Sequence, residues 1–343
     1  MDRSSLGGTT AAPASIVSSS DGVLLVIYAF IGGIGMVGNG LVCLIFTVRR
    51  QAFGSVTNLL ILNQSMIDLV DSVLFLILRF GPQFSSLSGA NGSVWSELVC
   101  RLWFSEYIMW SLFIASTVNL LFVTLERYFA ICHAVRHRSL FTVRRANIGR
   151  GLVWLIGFSY QSYWAVLHRV TADGECYAVW PSLTVQAFLG TVFFCCEYLI
   201  PLSIMTFSYI SIIVMLRNRS RRTNANTFQR TKRNVTLTLC FVSVSYTVCW
   251  TPTEFSYLMY NMGHEYDFSS STHYIFTVLV LLNMCINPLI YLIKYKRFQV
   301  ELKKIFFRRC CGYNRVDSLP GPTGTALSVV AVASGGPWGV APL

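Results

Sequence analysis

Charge is what this chain has least of. Asp, Glu, Lys and Arg make up only 12% of its 343 residues, while hydrophobic residues make up 54% and the mean hydropathy is +0.54. So little charge excludes an ordinary soluble domain. Lysine is scarcer still: five of the 27 basic residues, all from Lys232 onward. The net charge of +12 would suit nucleic acid if the basic residues formed one solvated patch, but they fall in short clusters between apolar runs, so nucleic acid is not an expected partner. Enzyme signatures are missing too. There is no phosphate-binding glycine loop and no HExxH, and the five histidines are scattered over loops and helix ends.

What is present is a series of apolar runs of membrane-spanning length. They predict helices at 23–48, 56–80, 99–131, 148–169, 184–216, 233–260 and 272–293. The expected fold is therefore all-α, a seven-transmembrane helix bundle over 23–293. A short amphipathic membrane-surface helix follows at 294–309, between an extracellular flexible segment at 1–22 and a cytoplasmic disordered tail at 310–343. The first span has no basic region before it and no small-residue cleavage site, so it is expected to be a retained anchor. Orientation follows from charge: 23 of the 27 basic residues lie on one side of the spans, against Arg3, Arg79, Arg101 and Arg169 on the other. That bias puts the amino terminus outside and the carboxyl terminus in the cytosol of a multi-pass plasma-membrane protein. A transporter with this number of spans would show inverted repeats and broken helices in matching halves; neither is seen.

The chain is expected to be organised around Cys100–Cys132, whose 27-residue interval from Cys100 to Arg127 would make a helix about 40 Å long, more than the bilayer core. Cys100 opens this span on the outer side and Cys176 sits in the next outer loop, so the oxidising exterior favours a disulfide between them. The other nine cysteines have no metal-ligand spacing. Of these, Cys310 and Cys311 follow a basic amphipathic stretch and are placed for palmitoylation. Asn91-Gly92-Ser93 is a glycosylation acceptor on the outer side. Glycines around Gly38 would allow close helix approach. Asp68, near mid-membrane, is a functional-site candidate because a buried ionisable group there costs a few kcal/mol or more. Pro201 and Pro252 are candidate hinges.

In order along the spans stand Gly38-Asn39, NxxxxD from Asn63 to Asp68, Glu126-Arg127-Tyr128, Trp154, Pro201 with Tyr209, Cys249-Trp250-Thr251-Pro252, and NPLIY from Asn287 to Tyr291. With these motifs the chain resembles a rhodopsin-like (class A) G-protein-coupled receptor over about residues 20–312. The resemblance implies a heterotrimeric G protein, and arrestin, as inner partners. The residues expected to carry coupling and activation are Glu126, Arg127, Tyr128, Tyr209, Asn287, Pro288 and Tyr291. Asn39, Asp68, Ser116, Asn283 and Asn287 could gather round a sodium ion, the alternative being a hydrated polar network without one. Trp250 resembles the family's rotamer switch. Two departures stand out: Tyr246 and Thr117 replace the usual Phe and aliphatic residue, and the sixth span offers Lys232 and Arg233 instead of an acid that would hold Arg127. The second departure predicts measurable basal signalling.

The ligand is expected to be a neuropeptide. The third span has no aspartate near Met109 and the last span has no lysine deep enough for a Schiff base, which disfavours an amine receptor and an opsin. Met109, Trp110, Glu106, Glu197, Trp250 and Glu254 are the expected ligand-binding residues, with outer acids at Glu97, Asp173, Glu175, Glu265 and Asp267 to attract a basic or amidated peptide. The outer loop around Cys176 alternates enough to form a hairpin. The likeness is greatest to galanin, somatostatin and allatostatin receptors. A non-peptide chemosensory receptor for odorants or lipids is the alternative. Basic clusters at 217–233 and 294–309 would also meet anionic membrane lipids. Epitope tags at the two termini should appear on opposite faces of intact cells; both on one face would refute the odd number of crossings.

Overall fold

The computed structural model describes residues 19–81, 93–222 and 227–310. Its helices are α1 (Ser19–Val48), α2 (Val56–Phe80), α3 (Val94–Val99), α4 (Tyr107–Cys132), α5 (Ala134–Leu140), α6 (Val143–Leu167), α7 (Leu183–Phe193), α8 (Ile200–Arg222), α9 (Thr227–Asn261), α10 (Ser271–Lys294) and α11 (Lys296–Cys310). Five stretches are each long and apolar enough to cross a bilayer: Gly22–Val48, Val56–Phe80, Val94–Cys132, Leu183–Asn218 and Ser271–Lys294. The more polar α6 and α9 complete the bundle by packing, α6 on α4 and α9 on α10. Helix starts are set by hydroxyl side chains: Ser55, Thr142, Ser182 and Ser270 each accept from a backbone N–H three residues on.

The centre of the bundle is α4, packed against α2, α6 and α8. The expected single helix over 99–131 is not what forms. Cys100–Phe104 makes a wider turn in which Ser105 N–H bonds to Cys100 O at 3.0 Å, and Glu106 then takes a left-handed conformation (φ 54°) before α4 begins at Tyr107. A non-glycine residue at positive φ ends a helix sterically. The interruption takes up part of the long Cys100-to-Arg127 interval ahead of α4, with Cys100 and Ser105 still buried. Elsewhere the predicted bounds hold to within several residues, with α1 starting ahead of residue 23 and α9 ahead of residue 233. The two short helices α3 and α5 were not expected. Residues 1–18, Asn91, Cys311 and the tail to residue 343 lie outside the described residues.

Two strands, β1 (His168–Val170) and β2 (Cys176–Ala178), pair antiparallel with Val170 opposite Cys176, so the expected hairpin is present. The Cys100–Cys176 disulfide ties it to the start of the central span. Val170 N–H also bonds to Glu97 Oε1 at 3.4 Å. α11 packs back on the bundle through Phe298, Phe46, Phe53 and Tyr295, and Arg49, just past the end of α1, donates its Nε–H to Glu301 at 2.7 Å. Partial burial opposes ionisation of Glu301, but hydrogen bonds from Lys304 and Arg49 prevail and hold its carboxyl below the usual range.

Small residues set the helix spacing. A Cβ at Gly38 would lie 2.8 Å from Pro288 Cγ, so α1 and α10 touch backbone to ring. A Cβ at Gly157 would lie 2.5 Å from Ser111 O and 3.0 Å from Ala115 N, both backbone atoms of α4 that cannot rotate away. Gly157→Ala should therefore cost about 1–3 kcal/mol. The check is the melting temperature of the purified chain, which should fall; an unchanged value would show that α6 does not need this approach.

Candidate functional site

Three polar sites lie along the bundle axis. At the outer mouth, Trp250 is 5% exposed and sits edge-on to Phe113 with ring centroids 5.2 Å apart; Phe113 in turn meets Trp110 at 5.7 Å. Met109 is buried in the same apolar cluster. These four residues fall together as a floor because α4 and α9 each present one face, Met109, Trp110 and Phe113 on the first and Tyr246, Trp250 and Glu254 at four-residue spacing on the second. Glu254 is 9% exposed, and next to it Phe255 meets Phe194, on the turn that carries Glu197, edge-on at 5.1 Å. Glu106 is placed differently: it pairs with Arg79 of α2 at 2.9 Å, so its charge is already met. Glu97 likewise pairs with Arg101 at 3.1 Å. Among the outer-loop acids, hydrogen bonds from the Ser269 hydroxyl and then its backbone N–H hold the Asp267 carboxyl below its usual range.

Two prolines explain polar side chains that the motifs alone do not. Pro201 has no N–H to offer the carbonyl of Glu197, four residues back, and the hydroxyl of Tyr246 donates to that oxygen at 3.1 Å. Pro288 leaves the carbonyl of Met284 in the same position, and Asn39 Nδ2 donates to it at 2.7 Å. Tyr246 is thus a hydrogen-bonded tie between α9 and the wide turn Phe194–Leu199.

Midway, Asp68 is 2% exposed. Its Oδ2 accepts from Asn287 Nδ2 at 2.8 Å, and its Oδ1 from Gln64 Nε2 at 3.1 Å and Ser116 Oγ at 3.2 Å. Of the five residues expected here, Asn287 and Ser116 reach Asp68. Asn283 is buried without bonding it, and Asn39 directs its amide N–H groups to the Met284 and Gly35 carbonyls. Asn39 Oδ1 and Asn287 Oδ1 are buried acceptors with no donor. Free oxygens near a carboxylate are what a small hard cation needs, so the residues present fit a sodium ion. Sequence reasoning missed Gln64 and Asn119. Trp154 Nε1 bonds Asn63 Oδ1 (3.2 Å), Asn63 bonds Asn119 (2.9 Å), Asn119 bonds Gln64 (2.8 Å), and Gln64 bonds Asp68 and Ser116, joining α6, α2 and α4. The signal was available: Asn63, Gln64 and Asp68 share one face of α2.

At the inner end, Arg127 is held by the adjacent Glu126 through Nε at 2.6 Å and Nη2 at 2.5 Å. Glu126 is 1% exposed and also receives Thr57 Oγ1 at 3.0 Å and pairs with His137 Nε2 at 2.8 Å. His137 belongs to α5, an element the sequence did not disclose. Tyr128 contacts His133 at 3.2 Å on the exposed side. Tyr209 lies 3.4 Å from Thr124, and Tyr291 is fully buried at the α10 end of the same core. Cys310 ends α11.

A family model described as the seven-transmembrane receptor of the rhodopsin family matches residues 38–291. Neuropeptide Y receptor type 6 of Mus musculus is 27% identical over 313 residues, 84% of this chain and 82% of that protein. Galanin receptor 2b of Danio rerio is 28% identical over 305 residues (86% and 76%), and the allatostatin-A receptor of Bombyx mori 25% over 296 residues (83% and 80%). The matched region takes in every span from Gly38 to Tyr291, and with it the Asp68 network and the Glu126–Arg127 pair; the chain belongs to the rhodopsin family of seven-transmembrane, G-protein-coupled receptors, which are not enzymes.

Proposed function

We propose that this receptor binds an extracellular neuropeptide and passes the event to a heterotrimeric G protein at its inner face. The observation that carries the ligand class is the mouth itself. A hairpin tied by Cys100–Cys176 to the start of the central span, an aromatic floor of Trp110, Phe113 and Trp250, and Glu254 one turn beyond Trp250 make up that mouth. That combination of ring surface and negative charge suits a peptide with a basic or amidated group, and relatives named for galanin, neuropeptide Y and allatostatin-A support the same reading. Binding acts by favouring one of two helix arrangements. On the inner side Arg127, released from Glu126, would meet the G protein, with Tyr128, Tyr209, Asn287, Pro288 and Tyr291 shaping the opening and arrestin using the same face. A sodium ion at Asp68, Ser116 and Asn287 would favour the resting arrangement. Plasma-membrane placement with the amino terminus outside, glycosylation at Asn91 and palmitoylation at Cys310 and Cys311 complete the reading.

A screen of amidated neuropeptides against volatile odorants and lipids, on cells expressing the chain with several G-protein readouts, tests the ligand class. Saturable activation by a peptide is expected, and a response to volatile or lipid compounds alone would favour the chemosensory alternative.

The inner end yields a second expectation. With Lys232 and Arg233 and no acid at that end of α9, the resting grip on Arg127 depends on Glu126, which His137 and Thr57 steady. One such hydrogen bond contributes on the order of 1 kcal/mol. His137→Ala should therefore raise ligand-free signalling several-fold at matched surface expression. A level equal to that of the unmodified receptor would show that α5 does not restrain the arginine.

A further inference from the structure

Two carboxylates lie in the outer half of the bundle with no positive charge against them. Glu197 stands on the wide turn Phe194–Leu199 and Glu254 on α9, and the two elements pack together there, Phe194 edge-on to Phe255 at 5.1 Å and the Tyr198 hydroxyl bonded to that of Thr251. The ion pairs of the described residues join Arg49, Arg79, Arg101, Arg127, His137 and Lys304 to Glu301, Glu106, Glu97 and Glu126; neither Glu197 nor Glu254 is among them. Oε1 of Glu197 is shut away from the surface and accepts no hydrogen bond. Like charges buried together repel, and a shared proton would neutralise only one of the two.

A separate observation points to a missing ligand. Trp250, 5% exposed, has an indole N–H with no acceptor, and it lies one turn further in than Glu254 on the same face of α9. Aromatic rings line this part of the bundle, with Phe194 and Tyr198 of the turn meeting Phe255 of α9 at 5.1 and 6.2 Å. Tyr160 turns its hydroxyl towards Glu197 without completing a hydrogen bond, Tyr163 stacks on Phe193 at 3.9 Å, and Tyr257 meets Trp164 edge-on at 6.3 Å. Ring faces add attraction for a cation.

We propose that Glu197 and Glu254 form a seat for the guanidinium of a basic residue in the ligand, with the Trp250 N–H bonding an acceptor oxygen beside it. This rests on the peptide reading and deepens it by assigning the ligand's charge and where that charge goes. A guanidinium suits the geometry better than an ammonium because its planar fork of five donors can bond two carboxylates at once. Glu106 is not part of the seat, being paired with Arg79.

The test uses the purified full-length receptor in nanodiscs and two small probes of the same shape, L-argininamide and L-citrullinamide, the second with a neutral ureido group in place of the guanidinium. A ligand that binds only the folded form raises its melting temperature with concentration. Argininamide should produce a given rise at a concentration at least about tenfold lower than citrullinamide, and Glu197→Gln or Glu254→Gln should abolish the difference. Equal stabilisation by the two amides would overturn the proposal, as would an argininamide effect retained in both variants. Should either variant not fold, the comparison of the two amides on the unmodified chain decides alone. The peptide screen fails separately: argininamide binding with no peptide response keeps the seat and removes the neuropeptide reading, whereas peptide activation without charge discrimination in the amide assay does the reverse.

Discussion

Every backbone carbonyl inside a bilayer must find a donor, and proline removes the donor it would have had. An unsatisfied carbonyl in hydrocarbon costs several kcal/mol. In this receptor two such oxygens, Glu197 O ahead of Pro201 and Met284 O ahead of Pro288, are met by side chains of other helices, Tyr246 and Asn39. Each bond fixes one helix against its neighbour beside a proline. α9 is tied to the start of α8, and α1 to α10, at the places where the backbone is weakest.

The same scarcity of donors governs the charged groups. Asp68 is surrounded by Asn287, Gln64 and Ser116, and the network continues to Asn119, Asn63 and Trp154, so one carboxylate organises polar groups on four helices. Glu126 is similarly occupied by Arg127, His137 and Thr57. Glu197 and Glu254 are not compensated in this way. A site with two carboxyl groups outside any ion pair, and one at the far end where a guanidinium is held in place, are the two ends that a change in helix arrangement must connect.

Much of the fold was legible in the residue order, because crossing a bilayer demands long apolar runs and the basic residues gather on one side of them. Cys100 and Cys176 were legible as partners because both fall at the same end of the spans, the end poorer in basic residues. Spacing along single helices exposed Asp68, Arg127 and Trp250. It could not show that Asn39 serves a carbonyl of α10 instead of Asp68, that Glu106 faces Arg79, or that His137 reaches Glu126, since each depends on which faces of two distant segments meet.

By itself, then, the sequence determined the number and order of spans, their orientation bias and the family-bearing motifs, all of which are local in the chain and follow from hydropathy, charge and spacing. Tertiary structure alone decided the break between Cys100 and Tyr107, the partners of the proline-freed carbonyls, and the packing of Phe194 on Phe255 that brings the turn of Glu197 against α9. Those are set by helix packing, where a side chain's partner is chosen by geometry between segments and not by its neighbours in the chain.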